Sequence, residues 1–207
     1  MHRGGPYTTG RREVLMAKLD FYFDYSCPWC YLATKTVREL AQEGVAIRYH
    51  VWKMPKDATP PPKPEGYMEA ATAKLRELRV QLNMPLSSPI QSDTVPALIA
   101  TKVADDLGRG EAFVEAAFLA HWANKQDISD RNVLVKIAES IGLDATNFQT
   151  ALEDGAGQAA FEADLQQAQA LNIDTIPSYL NEEARLLIHH FEDMPTLEQL
   201  RHIAQTK

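Results

Sequence analysis

The 207-residue sequence predicts an α/β fold in which the two ends of the chain build one sheet and a block of helices is inserted between them. Three observations predict it. The chain opens as strand, helix, strand; about a hundred residues then follow helical spacing with no strand pattern; and the end reads helix, strand, strand, helix.

Leu19 to Tyr25 alternates apolar and polar side chains and is rich in aromatics, the pattern of a half-buried strand. It runs into Ser26-Cys27-Pro28-Trp29-Cys30. There the fixed φ of Pro28 suits the first turn of a helix, and Tyr31, Leu32, Val37, Leu40 and Ala41 recur at helical spacing until Gly44 stops it. Val45 to Trp52 alternates again, with Arg48 and His50 among apolar residues, so the opening is a βαβ unit of parallel strands. From Met54 to Gly66 the prolines Pro55, Pro60, Pro61, Pro62 and Pro64 exclude regular structure and mark a boundary loop, read as a linker.

Helical spacing then covers Tyr67 to Leu82, Thr94 to Leu107, Glu111 to Asn124, Asp130 to Ile141 and Asp144 to Leu152. Ser129 and Asp130 stand where a helix start needs acceptors, and Gly108, Gly142 and Gly155 stand where helices end. A Gln- and Ala-rich helix follows from Ala156 to Leu171, closed by Asn172. Ile173 to Leu180 and Arg185 to Ile188 read as a hairpin around Glu182-Glu183, a turn without glycine. Pro195 and Thr196 open a last amphipathic helix with Leu197, Leu200, Ile203 and Ala204 on one face. The expected division is a flexible tail at 1–15, a sheet domain from 16–54 with 156–207, and a helical insertion at 55–155.

With 21 Lys and Arg against 28 Asp and Glu, the net charge of −7 leaves no basic field for nucleic acid. Apolar stretches such as Val95 to Ala100 fall far short of the roughly 20 residues a membrane-spanning helix needs, so no membrane partner is expected. Residues 1–15 have neither the apolar run nor the small-residue cleavage site of a secretory signal. Arg3, Arg11 and Arg12 precede any acidic residue but lack an amphipathic repeat, so the segment reads as a frayed tail rather than a transit peptide, with Met16 a second candidate start. Cys27 and Cys30 are the whole cysteine content, too few for a secreted disulfide scaffold, and a cytoplasmic protein is expected.

Two cysteines at i and i+3, the first at a helix N-terminus, carry a specific chemistry. The free N–H groups there and the helix dipole, worth about 0.3–2 kcal/mol, favour a thiolate on Cys27. Cys27 is the candidate nucleophile; Cys30, one turn further in, is the candidate resolving thiol that attacks a mixed disulfide on Cys27. An inert disulfide or a pair of small core residues is the plainer alternative. No metal is expected: there is no second cysteine pair, and His189-His190 are adjacent rather than at the spacing of paired zinc histidines. Asp24, three residues before Cys27, is a candidate for proton transfer to the dithiol or for capping the turn. Trp29 is either a substrate contact or a partly buried aromatic, and His50, His121, His189, His190 and His202 read as structural.

Phe23-Asp24-Tyr25-Ser26-Cys27-Pro28-Trp29-Cys30-Tyr31-Leu32 closely resembles the active-site motif of the DsbA-like thioredoxin superfamily, in particular its cytosolic FrnE-like branch with a Cys-Pro-Trp-Cys motif. Ser92-Asp93-Thr94, Phe118-Leu119-Ala120-His121-Trp122 with Asp127-Ile128-Ser129-Asp130, and Ile141-Gly142-Leu143-Asp144 are similar to that branch's helical insertion. The resemblance covers most of 17–180 and implies a thioredoxin fold, βαβ…αββα with an inserted all-helical domain. It also implies that Ile176-Pro177 is the cis-proline loop that faces the cysteines and, with Pro28 and Trp29, contacts substrate. Where the family usually has Gly-Val-Pro-Thr-Phe this chain has Asp174-Thr175-Ile176-Pro177-Ser178-Tyr179, and the small Gly-Ala segment before the last helix is replaced by His189 to Asp193.

The implied function is a thiol–disulfide oxidoreductase acting on protein disulfides, with no bound cofactor and with glutathione as a candidate redox partner or cosubstrate. Trp29 stands where a strong DsbA-type oxidant has histidine, which implies a milder couple working as reductase or isomerase. Two alternatives stand beside it. 2-Hydroxychromene-2-carboxylate isomerases and kappa-class glutathione transferases resemble the same architecture but use serine where this chain has Cys27, and a non-catalytic peptide-binding or chaperone module could use the same groove. Monomer and homodimer both remain open.

Overall fold

The computed structural model describes residues 17–60 and 62–206; the tail assigned to 1–15 lies outside them. Four strands stand in the order β2-β1-β3-β4. β1 (Lys18–Phe23) pairs in parallel with β2 (Ala46–Val51), the two joined by α1 (Pro28–Gln42). On its other side β1 pairs antiparallel with β3 (Ser178–Leu180), which pairs antiparallel with the edge strand β4 (Arg185–Leu187). Between β2 and β3 run α2 (Tyr67–Gln81), α3 (Val95–Asp106), α4 (Gly110–Trp122), α5 (Arg131–Ser140), α6 (Ala145–Glu153) and α7 (Ala156–Ala170), and α8 (Leu197–Gln205) closes the chain. The α/β class and the element order are those the sequence predicts.

β1 departs from its expected half-burial. Leu19, Asp20, Phe21, Tyr22 and Phe23 are all buried, because β1 is a central strand covered on both faces. On one face Phe21 stacks with Phe23 and with Tyr179, both phenylalanines meet Tyr49, and the helices α1 and α8 close over them. On the other, Asp20 and Tyr22 lie beneath α7, with Trp52, Ala168, Ile173 and Leu180 around the tyrosine. Alternation along β1 therefore separates two buried environments rather than core from solvent. The larger apolar cluster is continuous from Phe21 and Phe23 through Phe118 to Phe113 and Phe148 of the inserted helices.

Local chemistry sets the boundaries. Gly44, at φ 92°, takes the left-handed turn that ends α1, its N–H donating to Ala41 O at 2.9 Å. At α5 the cap is Asp130, which accepts from Asn132 N–H; Ser129, also a candidate, instead donates to Asp127 Oδ1. The β3–β4 turn needs no glycine because Asn181 Oδ1 accepts from the N–H groups of Glu183 and Ala184. α8 opens on a capping box between Thr196 and Gln199. The strand expected from Ile173 shortens to Ser178–Leu180: Ile173 N–H still closes α7, and Asp174 to Pro177 form an irregular loop. His189 to Asp193, left without an element by the sequence, includes a 3-10 turn at Phe191–Asp193.

Candidate active site

Cys27 occupies the N-cap of α1. Its backbone is extended (φ −94°, ψ 111°) and its sulfur accepts the Cys30 N–H at 3.3 Å, which leaves the thiol half-buried at the helix start. Pro28 follows at the first helical position, where its missing N–H costs nothing. Cys30 is fully buried one turn along. Burial, then the hydrogen bond and charge of Cys27, push the Cys30 thiol well above the usual cysteine range. Both cysteines are free thiols, so the site is a dithiol with one accessible and one sheltered sulfur.

The loop before β3 supplies the opposite wall. Ile176–Pro177 is a cis peptide, and Cys27 Sγ lies 3.9 Å from Ile176 O. The loop is braced from behind: Thr175 Oγ1 donates to Ile188 O at 2.6 Å, Ile188 N–H donates to Pro177 O at 3.2 Å, and Ser178 Oγ donates to Thr175 O at 2.7 Å. Tyr179, the next inward residue, has its phenol pushed well above the ordinary range by burial and by the neighbouring Cys30 and Cys27. Trp29 lies half-buried, stacked on Phe191 with centroids 5.7 Å apart; Phe191 in turn meets Tyr67 at the start of α2. Cys27, Cys30, Pro28, Trp29, Ile176 and Pro177 thus converge on one end of the sheet.

Asp24 lies beneath the dithiol, 3% exposed. Its Oδ1 accepts from Ser26 N–H at 2.9 Å, capping the turn into α1, and its Oδ2 faces Lys53 Nζ at 3.1 Å. Lys53 also donates to Thr94 Oγ1 at 2.7 Å. The turn itself is clamped by the inserted helices: Trp122 Nε1 donates to Tyr25 O at 2.8 Å, and the Tyr25 hydroxyl meets Thr101 Oγ1 at 2.6 Å. Lys53, Thr101 and Trp122 carry no spacing signal that would single them out in the sequence. They come from the loop after β2, from α3 and from α4, and meet Asp24 and Tyr25 only in the fold.

His50 lies elsewhere, under α7, where its ring nitrogens meet Asp20 at 2.9 Å and Asp164 at 3.1 Å. His189 pairs with Asp174 at 2.9 Å and is exposed. Among the described residues no cluster of His, Cys, Asp and Glu is arranged to hold a metal ion, and no helix is long and apolar enough to cross a membrane.

The model of the DSBA-like thioredoxin domain matches residues 18–200. The chain belongs to that family. As a DSBA-like thioredoxin domain it is 30% identical over 158 residues to a 2-hydroxychromene-2-carboxylate isomerase of Sphingobium xenophagum, covering 72% of this chain and 81% of that one. A probable DsbA oxidoreductase of Streptomyces coelicolor superposes with a TM-score of 0.72 at 19% identity, covering 91% and 88% of the two chains. The cytosolic disulfide reductase DsbM of Pseudomonas aeruginosa, solved with GSH, superposes at 0.63 and 19% identity over 91% and 93%. These two show that the DSBA-like domain shares its fold with both. The family and its isomerase relative make the chain an enzyme of the oxidoreductase or isomerase kind.

Proposed function

We propose that the protein is a cytoplasmic thiol–disulfide oxidoreductase of the FrnE-like kind that reduces or isomerises protein disulfides. The observation that carries this reading is the asymmetric dithiol, with Cys27 half-exposed at a helix N-cap and Cys30 sheltered one turn behind it. Cys27 attacks the substrate disulfide and forms a mixed disulfide; one substrate sulfur leaves and takes a proton. Cys30 then attacks Cys27, the second substrate sulfur leaves, and the Cys27–Cys30 pair is oxidised by two electrons as the substrate is reduced. A small thiol, glutathione in our reading, returns the pair to the dithiol.

The sheltered Cys30 holds its proton tightly, so the resolving step needs an acceptor. Asp24, buried beside it, takes that role and hands the proton to the leaving sulfur. Ile176 and Pro177 pair with the backbone of the bound peptide, and Trp29 and Pro28 line its path.

Equilibration in glutathione buffers, read by thiol tagging and mass spectrometry, tests the reading. A reversible two-electron transition between Cys27 and Cys30, with insulin reduction that Cys27→Ser abolishes, is expected. A second reading rests on the isomerase relative: a glutathione-dependent isomerase or transferase. Absence of any Cys27–Cys30 disulfide, with glutathione binding retained, would replace the first reading by the second. Intact suppression of aggregation in a chain that reduces nothing would favour a peptide-binding module.

A further inference from the structure

The loop between β4 and α8 has no part in the cysteine exchange, yet it builds an aromatic shelf beside it. Phe191, 6% exposed, packs against three half-buried rings: Trp29 stacked with centroids 5.7 Å apart, Tyr67 edge-on at 5.2 Å and His190 at 4.3 Å. Trp29 belongs to the Cys27–Cys30 turn and Tyr67 opens α2, so one buried ring joins the dithiol to the inserted helices. The shelf already holds a cation of the chain itself, Lys63, whose Nζ stands 4.7 Å from the centroid of the Tyr67 ring.

Next to Phe191 a groove of about 580 Å³ runs between α2 and this loop. Ala70 and Ala73, one turn apart on α2 and both exposed, leave its helical wall small and apolar. Its charged residues are not equivalent. Lys74 Nζ pairs with Glu77 at 2.9 Å, so those two charges cancel. Glu192 is not cancelled. His190 Nδ1 lies 3.7 Å from its carboxylate, but that nitrogen accepts the Glu192 N–H at 3.3 Å, and a ring nitrogen that accepts has no proton to give an anion. The carboxylate has no other ion-pair partner among the described residues and is 74% exposed. It is the unbalanced charge of the groove, on a chain whose net charge is −7, so the groove draws cations and repels anions.

We propose that this groove receives the stretch of a protein substrate beside its half-cystine and selects one that carries lysine or arginine. The apolar stem of that side chain lies along Ala70, Ala73 and the Phe191 ring, and its charged head meets Glu192. The inference rests on the oxidoreductase reading and deepens it: the dithiol sets the chemistry, and the groove sets which disulfides reach it. Glutathione, whose free carboxylates Glu192 repels, reaches Cys27 without the groove.

Reduction of disulfide peptides that differ only in having Arg, Ala or Glu beside one half-cystine tests this, with glutathione disulfide as the reference substrate. For the full chain, kcat/KM is expected to be about threefold to fivefold higher on the Arg peptide than on the Glu peptide, a preference that weakens in about 0.5 M salt. Glu192→Gln is expected to bring that ratio close to one, and Glu192→Lys to invert it. Ala73→Trp fills the groove, and in it the rates on all three peptides are expected to fall relative to the rate on glutathione disulfide. Equal native rates on the Arg and Glu peptides, a preference that survives Glu192→Lys, or an unmoved ratio of peptide to glutathione disulfide in Ala73→Trp overturns the role of the groove and leaves the oxidoreductase reading standing. A native chain that reduces none of the four substrates and never forms the Cys27–Cys30 disulfide overturns that reading instead, and this one with it.

Discussion

The two faces of β1 are both buried and are stabilised in opposite ways. The Phe21 and Phe23 face is aromatic and apolar, and it carries α1 with the dithiol. The Asp20 and Tyr22 face is ionic: Asp20 holds Arg48 and His50, Asp164 of α7 holds His50, Lys102 and the Val51 N–H, and Tyr22 stacks on the His50 ring at 4.6 Å. The comparison teaches a division of labour. Dispersion and burial hold the active-site helix against the sheet, while α7 meets it through hydrogen-bonded charge pairs that are costly to leave unpaired.

The largest break is expected on the apolar face. Phe23→Ala removes a fully buried ring that meets Tyr25, Tyr49 and Phe118, and is expected to cost about 3–5 kcal/mol in urea denaturation. A loss below about 1 kcal/mol would mean that this face does not anchor α1. Next comes Asp164→Ala, which strands Lys102 and His50 in a buried site and is expected to cost about 3 kcal/mol. Replacing Lys102 by Met in the same chain should recover part of that loss. No recovery would assign the cost to packing of α7 rather than to charge.

The ionic face also sets the pH dependence of stability. Burial pushes Asp20 and Asp164 up, but hydrogen bonds from His50 and the neighbouring cations hold both below the ordinary carboxylate value of 3.8. Their contribution is present above that value and is lost as pH falls through the lowered one. Burial pulls His50 down, but Asp164 and Asp20 carry it above the ordinary 6.5. Its contribution is full below 6.5 and is lost as pH rises through the raised value. Stability from this face is therefore greatest between 3.8 and 6.5. His50→Gln should flatten the alkaline decline measured by urea denaturation at a series of pH values; an identical decline would place the titration elsewhere.

Smaller effects sharpen the contrast. Trp122→Phe leaves the Tyr25 carbonyl unpaired at the turn into α1 and is expected to cost about 1–2 kcal/mol, with a loss of insulin reduction larger than the stability loss explains. Thr196→Ala removes the capping box of α8 on the apolar face and should cost about 1 kcal/mol in the same denaturation assay, with insulin reduction unchanged.

The nucleophile motif was legible because its chemistry is local. A proline after Cys27 starts a helix, a helix start bares N–H groups, and a sulfur at the cap meets them; all of this follows from Ser26 to Cys30 alone. Element order was legible for the same reason, through periodicity and the glycine, Asx and proline punctuation. The burial of both faces of β1 was not, since alternation reports that two sides differ and not what covers each. Alternation gives Asp20 and His50 no partner in the sequence; only α7 brings Asp164 across the His50 ring, whose other nitrogen meets Asp20.

The sequence by itself determined the helical insertion, the chain order of the elements and the place of Cys27 at a helix start, because propensity, capping and spacing act within a few residues. Tertiary structure alone decided that Lys53, Thr101 and Trp122 meet Asp24 and Tyr25, that Phe191 stacks on Trp29, and that Ile176 faces Cys27. Those meetings join residues 29 to 162 positions apart, and only the closing of a common core, not any local preference, brings such distant side chains within hydrogen-bonding or stacking distance.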